Sequence, residues 1–269
     1  MLDKGFVRLV DYLGGDARIV QAARVSYGEG TKTVREDAAL IDYLVRHKHT
    51  SPLEQVVLTF HLKMPIFVAR QWLRHRTARL NEMSGRYSVM QDEFYLPDAG
   101  EVRRQSQQNK QGRGDEVPPE LQRRTLELLQ TGQQTAYEGY QELLGEDVAR
   151  ELARVNLPLS LYTEMYWQID LHNLFHFLRL RLDAHAQFEI RAYAEVMAEH
   201  ARAVAPLAYG AFEEHLLYAK TFSRSELELL LEALDREALG RALAASDLRK
   251  TRQREFLDKL APVPTKTLI

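Results

Sequence analysis

Four arginines and a histidine fall within the 13 residues from Arg74 to Arg86, in the run Gln71-Trp-Leu-Arg-His-Arg-Thr-Ala-Arg-Leu-Asn-Glu-Met-Ser-Gly-Arg-Tyr87. A guanidinium suits phosphate because its planar fork donates two parallel hydrogen bonds and stays charged at any working pH. Ser84 and Gly85 follow as small residues whose backbone a ligand can approach closely. The run therefore outlines an anion site, although a solvated basic helix face ending in a turn at Ser84-Gly85 would use the same arginines. Trp72, Asn81, Glu82 and Tyr87 are interleaved with the charges, and a plain solvated face has no need of them. If the run is helical, Arg74 and Arg76 point about 200° apart. They then serve two ligands or two subunits, unless the helix ends between them.

Other chemistries compete for the same chain. Trp72 and Tyr87 beside the arginines would suit an RNA- or nucleotide-binding module that stacks bases. His172 and His176 stand at i, i+4, a metal-ligand spacing that Asp183 and His185 extend toward a hydrolase site. No Glu lies between the two histidines as in H-E-x-x-H, and no metal is expected. His49, near a helix end, reads on its own as a cap or dipole partner. Cysteine is absent from the 269 residues, which removes disulfides, thiolate metal sites and thiol nucleophiles together. Neither G-x-G-x-x-G nor G-x-x-x-x-G-K-[ST] occurs, so a nucleotide must be held by side chains.

Charge narrows the partners. Lys and Arg number 36 against 38 Asp and Glu, so no global field draws the molecule to nucleic acid or to an acidic membrane, and neither is an expected partner. The start, MLDKGFVRLVDYLGG, lacks the basic region and apolar run of a secretory signal, and no stretch approaches the roughly 20 apolar residues that span a bilayer. A cytoplasmic location is the expectation.

The elements that must position these residues follow from periodicity. Residues 7–13 read as a strand, and 16–27 as a helix opened by Asp16 as its N-cap. A second helix covers 34–50, with Leu40, Tyr43, Leu44 and His47 at helical spacing and Ser51-Pro52 as its stop. VVLTFHLKM (56–64) alternates as a half-buried strand does. Pro65 closes it and IFVARQWLRHR (66–76) resumes helical character. The polar stretch 98–119 predicts a mobile surface loop. Helices are expected over 119–144, over 146–154 and from about 171 to 204, the last striped by Leu171, Leu174, Leu178, Leu182, Ala186, Ile190, Tyr193 and Met197. LSLYTEMYWQID (159–170) reads as a strand before it. A helical pair follows from Ser223, and APVPTKTLI is a loose tail. Few strands among many helices, without regular alternation, indicate an α+β fold.

RHR, seven residues, then Ser, within RHRTARLNEMSGRYS, resembles the signature of the flavin-dependent thymidylate synthases (the ThyX family). ARVSYG (23–28), HKHTSPLEQ (47–55), FVARQWLRHR (67–76), EFYLP (93–97), NLPLSLYT (156–163) and LFHFLRLRLDAHAQFEIRAYA (174–194) extend the likeness over about residues 2–215. The resemblance implies a small, mostly antiparallel sheet packed with long helices in a domain over 1–218, with 219–269 as a C-terminal helical extension. It implies reductive methylation of dUMP to dTMP, with methylenetetrahydrofolate as carbon donor and FAD reduced by NADPH. The enzyme would be a homotetramer with active sites shared between subunits.

Carried over position by position, the resemblance places Arg74, His75 and Arg76 at FAD, together with Ser51, Glu82, Asp170, His172 and His176. Gln71 and Arg74 would reach dUMP. Glu82, Ser84, Gly85 and Arg86 from a neighbouring chain would close over the nucleotide, with Arg154 also binding it. His49 and Tyr87 would meet the folate. Arg181 is the first catalytic candidate, polarising uracil at its N3–C2 edge. Ser84 is the second, assigned hydrogen bonding because no base adjoins it in sequence to activate the hydroxyl. Arg79 departs from the small polar residue common in the family. The missing thiol agrees with the implied chemistry, since hydride from a reduced flavin replaces the usual addition of sulfur at C6.

If the helix already begins at 170, Asp170 and Arg181, 11 residues or about three turns apart, share one helix face, whereas His176 lies about 140° from Arg181. Ligands on two faces of one helix fit sites formed between subunits.

Overall fold

Alternation along VLTFHLKM sends Leu58, Phe60, Leu62 and Met64 to one face of a strand, and all four are 0% exposed. Thr59, His61 and Lys63 take the other face, where Lys63 pairs with Glu93 at 2.6 Å and His61 meets Glu164 at 3.0 Å. In this computed structural model, which describes residues 1–25, 34–107 and 109–261 (the backbone alone at 34 and 35), that strand is the centre of the fold. Contacts divide the chain into two units, Met1–Tyr218 and Ala219–Ile269.

The first unit runs β1 (Phe6–Leu13), α1 (Asp16–Arg24), α2 (Val34–Arg46), β2 (Val57–Pro65), α3 (Ile66–Trp72) and β3 (Arg79–Glu82). It continues through β4 (Arg103–Gln105), β5 (Arg113–Glu116), α4 (Pro119–Gly145), α5 (Arg150–Ala153), β6 (Tyr162–Asp170), α6 (Leu171–Arg181), α7 (Phe188–Val204) and α8 (Pro206–Phe212). Four strands form an antiparallel sheet in the order β1-β2-β6-β3, and β4-β5 form a separate hairpin, so the fold is α+β as expected. The inner face of the sheet packs with α3, α6, α7 and α8 into one core. There the Trp72 indole meets Trp167 edge-on at 5.4 Å, Phe177 at 4.6 Å and Tyr193 at 6.2 Å between ring centroids. A smaller cluster, Met90, Phe94, Tyr140, Ala153 and Leu161, fastens the segment after the arginine-rich run to α4. Tyr140 accepts from the Met90 N–H at 3.0 Å there, and Tyr137 donates to its carbonyl at 3.2 Å.

Several elements differ from the sequence expectations. Asp16 does not cap its own helix. Its carboxylate accepts from the N–H groups of Leu207 and Ala208 at 2.8 and 3.0 Å, so it caps α8, which opens on Pro206 with no side-chain cap of its own. Burial raises the Asp16 pKa and these two donors oppose the rise. Positions 26 and 27 of the expected first helix lie outside the described residues. α2 stops at Arg46 in a Schellman motif, where Lys48 takes φ 58° and the His49 N–H reaches the Leu44 carbonyl at 2.8 Å.

The expected helix over 66–76 ends at Trp72, because the residues that follow are largely exposed and offer no apolar face. Arg79–Glu82 instead takes the free edge of β6, pairing Arg79 with Gln168 and Glu82 with Met165. The expected loop over 98–119 carries the β4–β5 hairpin, tied by Arg113 to Glu101 and Glu189. The Arg113–Glu189 tie, made across 76 residues, leaves no trace in local composition. Gln108 lies outside the described residues. The helix expected over 146–154 shortens to Arg150–Ala153, since Asp147 stands at φ 58°. The long helix expected over 171–204 is two, broken at 182–187, where the Asp183 carboxylate accepts from the His185 N–H at 2.8 Å. Leu182 and Ala186 of the stripe therefore sit in the connector.

Among its described residues the second unit holds three helices where a pair is expected: α9 (Arg224–Ala233), α10 (Arg236–Ala245) and α11 (Lys250–Lys259). Ser223 and Glu226 form a capping box on α9, and Asp235 caps α10. Positions 262–269 of the expected tail lie outside the described residues. Among the described residues no helix is long and apolar enough to cross a membrane.

Candidate active site

Because α3 ends at Trp72, Arg74 and Arg76 lie on a turn and the opposed helical directions expected of them do not arise. Both are exposed, whereas His75 turns inward and packs edge-on to Phe177 at 4.8 Å. Arg181, the last residue of α6, donates from Nε to His75 Nε2 at 3.0 Å and from Nη2 to the Gln71 carbonyl at 3.4 Å. Its Nη1 has no partner among the described residues. Burial lowers the Arg181 pKa from its ordinary value. Burial first, then the charge of Arg181 and the neighbouring His176, lowers His75 to about 4. His75 is thus a neutral acceptor at pH 7, which leaves Arg181 charged and aimed. Gln71 and Arg181 line a cavity of about 470 Å3 together with Gln187 and Asp183.

A pH dependence follows, with a definite sign. The unfolded chain takes up a proton at His75 near the ordinary value of 6.5, whereas the folded chain resists until about 4. Stability from this group is complete above 6.5, declines as pH falls through that window and levels off below it. Thermal melts of wild type and His75→Asn from pH 7 to 4 should show the variant losing less on acidification. Parallel declines would contradict the assignment.

A second cavity, about 260 Å3, opens between the end of α2 and α6, lined by Lys48, His49, His172, Phe175, His176 and Arg179 among others. Here the structure brings His49 to the i, i+4 pair His172 and His176, from which the sequence separates it by more than 120 residues. Lys48 and Arg179 join them unforeseen; the signal for Lys48 would have been its role as a non-glycine Schellman residue. Arg179 lines both cavities and His75 touches both sides, since its ring lies 6.1 Å from that of His176. His176 and Arg181 thus stand at different cavities, as their angular separation requires. Asp170 does not face either one. It caps α6, accepting from the Asn173 N–H at 2.9 Å. Ser51 lies apart as well, on a surface hollow with Arg18 and Gln55.

The third grouping surrounds the turn after β3. The Ser84 carbonyl accepts from the N–H groups of Tyr87 and Ser88 at 3.0 Å each, and its hydroxyl accepts from the Arg86 N–H at 3.3 Å. No base meets that hydroxyl among the described residues, in keeping with a hydrogen-bonding role. Arg150 holds the Tyr87 carbonyl at 2.9 Å, and Arg86 pairs loosely with Glu151 across solvent at 3.3 Å. Glu82 accepts from Thr163 at 2.6 Å. A Cβ added at Gly85 would stand 2.9 Å from the Met90 sulfur and 3.0 Å from Cδ of Arg154, so only glycine lets the Arg154 side chain lie against this turn. If Arg154 holds the nucleotide as the family resemblance implies, Gly85→Ala should displace it and weaken dUMP binding about tenfold, one lost charged hydrogen bond. Unaltered affinity by calorimetry would separate Arg154 from the nucleotide. Within one chain no hydrogen bond or ion pair among the described residues joins this turn to the Arg181 cavity.

Sequence reading missed the groups behind Gln71. Its side-chain amide donates to Gln187 Oε1, and Gln187 Nε2 donates to Glu189 Oε2 at 2.9 Å. Glu189 is 1% exposed and also accepts from Tyr95 at 3.0 Å and from Arg113. A charged residue on the buried face of an otherwise apolar helix was the available signal. Among the described residues no group of three or more His, Asp or Glu side chains is placed to hold a metal ion.

The arrangement can grip anions at exposed arginines, orient a flat polar ring at Gln71 and Arg181, and seat a second apolar ring against Phe175 and Leu44. Comparison with known proteins agrees with that chemistry. Residues 8–207 match the family model described as thymidylate synthase complementing protein. A flavin-dependent thymidylate synthase of Treponema denticola is 67% identical over 86% of this chain and 87% of its own length. One from Thermus thermophilus is 58% identical over 97% of this chain and 94% of its own. Among solved structures, the UMP/dUMP methylase PolB of Streptomyces cacaoi bound with 5-Br dUMP superposes with a TM-score of 0.72 at 33% identity, covering 78% of this chain and 95% of that one.

Proposed function

The chain belongs to the family of flavin-dependent thymidylate synthases, and from that membership we propose how its own residues methylate dUMP to dTMP. It is a flavoprotein methyltransferase of nucleotide biosynthesis. The first unit carries the activity and the second is a helical extension outside it. The observation that carries the reading is the Arg181 guanidinium, half-buried, steadied by a neutral His75 and pointing with Gln71 into one cavity.

FAD fits the donor set. The cavity at Lys48, His49, His172 and His176 has an apolar wall and a rim of cations and imidazoles, as a flavin ring with an anionic tail requires. Its 260 Å3 is too small for a whole dinucleotide, so Arg74 and Arg76 take the remainder together with Glu82 and a second subunit of a homotetramer. When bound, the flavin supplies hydride chemistry, which this thiol-free chain cannot replace with a cysteine. NADPH is the reductant and methylenetetrahydrofolate the carbon donor, its ring met by His49 and Tyr87. Arg181 stabilises negative charge developing on the uracil carbonyl, and Gln71 fixes the ring beside it. Ser84, Gly85, Arg86 and Arg154 hold the phosphate end. The location is cytoplasmic.

The purified protein should absorb near ~450 nm as oxidised flavins do, change that absorbance on dUMP addition, and form dTMP with methylenetetrahydrofolate and NADPH. A colourless protein that takes up no FAD and yields no dTMP would end the proposal.

A further inference from the structure

Glu189 lies a full relay away from any substrate, yet its chemistry dictates which atom Gln71 offers. An amide side chain has one donating end and one accepting end, and a carboxylate paired with a guanidinium only accepts. Glu189 Oε1 takes Tyr95 and Arg113, which leaves Oε2 for Gln187 at 2.9 Å. Gln187 must therefore turn its NH2 toward Glu189 and its oxygen toward Gln71. Gln71 must in turn give its NH2 to Gln187, as it does. Its own oxygen is left as an acceptor with no partner among the described residues, on the wall of the cavity it shares with Arg181.

We infer that Glu189 is a positioning residue that, through Gln187, sets the polarity of Gln71 so that the site accepts an imide N–H and rejects a ring-nitrogen acceptor. This rests on the dUMP reading above. An acceptor at Gln71 beside a donor at Arg181 complements N3–H and C2=O of uracil. Cytosine presents a bare N3 there, acceptor against acceptor, and a buried clash of that kind costs about tenfold to a hundredfold in affinity. The hairpin gains a role in the same network, since Arg113 of β5 reaches Glu189 across 76 residues of sequence. Arg113 compensates the buried charge without entering the relay.

Replacement of Glu189 by Gln releases the constraint. A neutral amide at 189 can donate, so Gln187 can turn over and Gln71 can show its NH2 to the ligand. Calorimetric titration of the flavin-loaded protein with dUMP and with dCMP reads this directly. Wild type should favour dUMP strongly, while Glu189→Gln should lower the preference about tenfold, in part by binding dCMP better. A merely structural lesion would weaken both nucleotides alike. Should Glu189→Gln fail to fold, Gln187→Met removes the relay while leaving Glu189 with Arg113 and Tyr95, and should narrow the preference similarly. Variants that keep the wild-type preference would overturn the relay and leave the dUMP reading intact. Wild type that binds neither nucleotide would overturn both.

Discussion

Arg181→Ala should cut dTMP formation by about a hundred- to a thousandfold, the loss typical of removing one preorganised donor at a developing oxyanion. FAD should stay bound, because the cavity assigned to its ring is built from Lys48, His49, His172 and His176 on the far side of α6. The defect should appear in kcat, since an interaction that strengthens as charge grows on the carbonyl acts in the transition state. Arg181→Lys should rescue little. A single ammonium cannot hold His75 through one nitrogen and offer another to the ring, whereas a guanidinium whose Nε already donates to His75 keeps its Nη groups for that purpose. Steady-state kinetics with flavin absorbance measured on the same samples would decide it. Turnover within tenfold of wild type would remove Arg181 from the chemistry.

Trp72→Ala should destabilise the first unit by about 3–5 kcal/mol, the cost of truncating a large buried aromatic. The indole is 0% exposed and touches Trp167, Phe177 and Tyr193 at once. Its Nε1–H finds no acceptor among the described residues. Loss of that orphaned donor returns about 1–3 kcal/mol at most, which is smaller than the packing lost. The damage should also reach function, because the peptide N–H of His75 hangs from the Trp72 carbonyl at 2.9 Å. Denaturant unfolding would show the lower midpoint. A shift under about 1 kcal/mol would mean the cluster collapses around the gap, at the low end for a core truncation.

The strand expected over 56–64, the helix over 119–144 and the strand over 159–170 stand at Val57–Pro65, Pro119–Gly145 and Tyr162–Asp170, and the two strands bury alternate residues, which their periodicity records. Pattern failed where a distant partner decided the outcome. Arg79–Glu82 is a strand because β6 had a free edge, not because RLNE favours extension. Asp16 has every local mark of an N-cap and was recruited elsewhere. The break between α6 and α7 is hidden by a hydrophobic stripe that continues through Leu182 and Ala186 at helical spacing, although Asp183 diverts the backbone.

For the site, the sequence motif brought forward Gln71, His75 and Arg181, which the fold gathers at one place. It also brought forward Asp170, whose side chain is occupied at the start of α6. Gln187 and Glu189 escaped notice because their meaning lies in hydrogen-bond direction, which no spacing encodes. Lys48 and Arg179 escaped because cavities exist only after folding.

Asp16 grips the amides of Leu207 and Ala208 from 191 and 192 residues away, and Gly15 lies so close that a Cβ there would stand 2.8 Å from the Val204 carbonyl. On the ribosome, where synthesis proceeds at about 5–20 residues per second, the opening helix must wait roughly 10–40 s for this clasp to emerge. Until then α1 is without that anchor, and a chain released short of residue 208 never forms it.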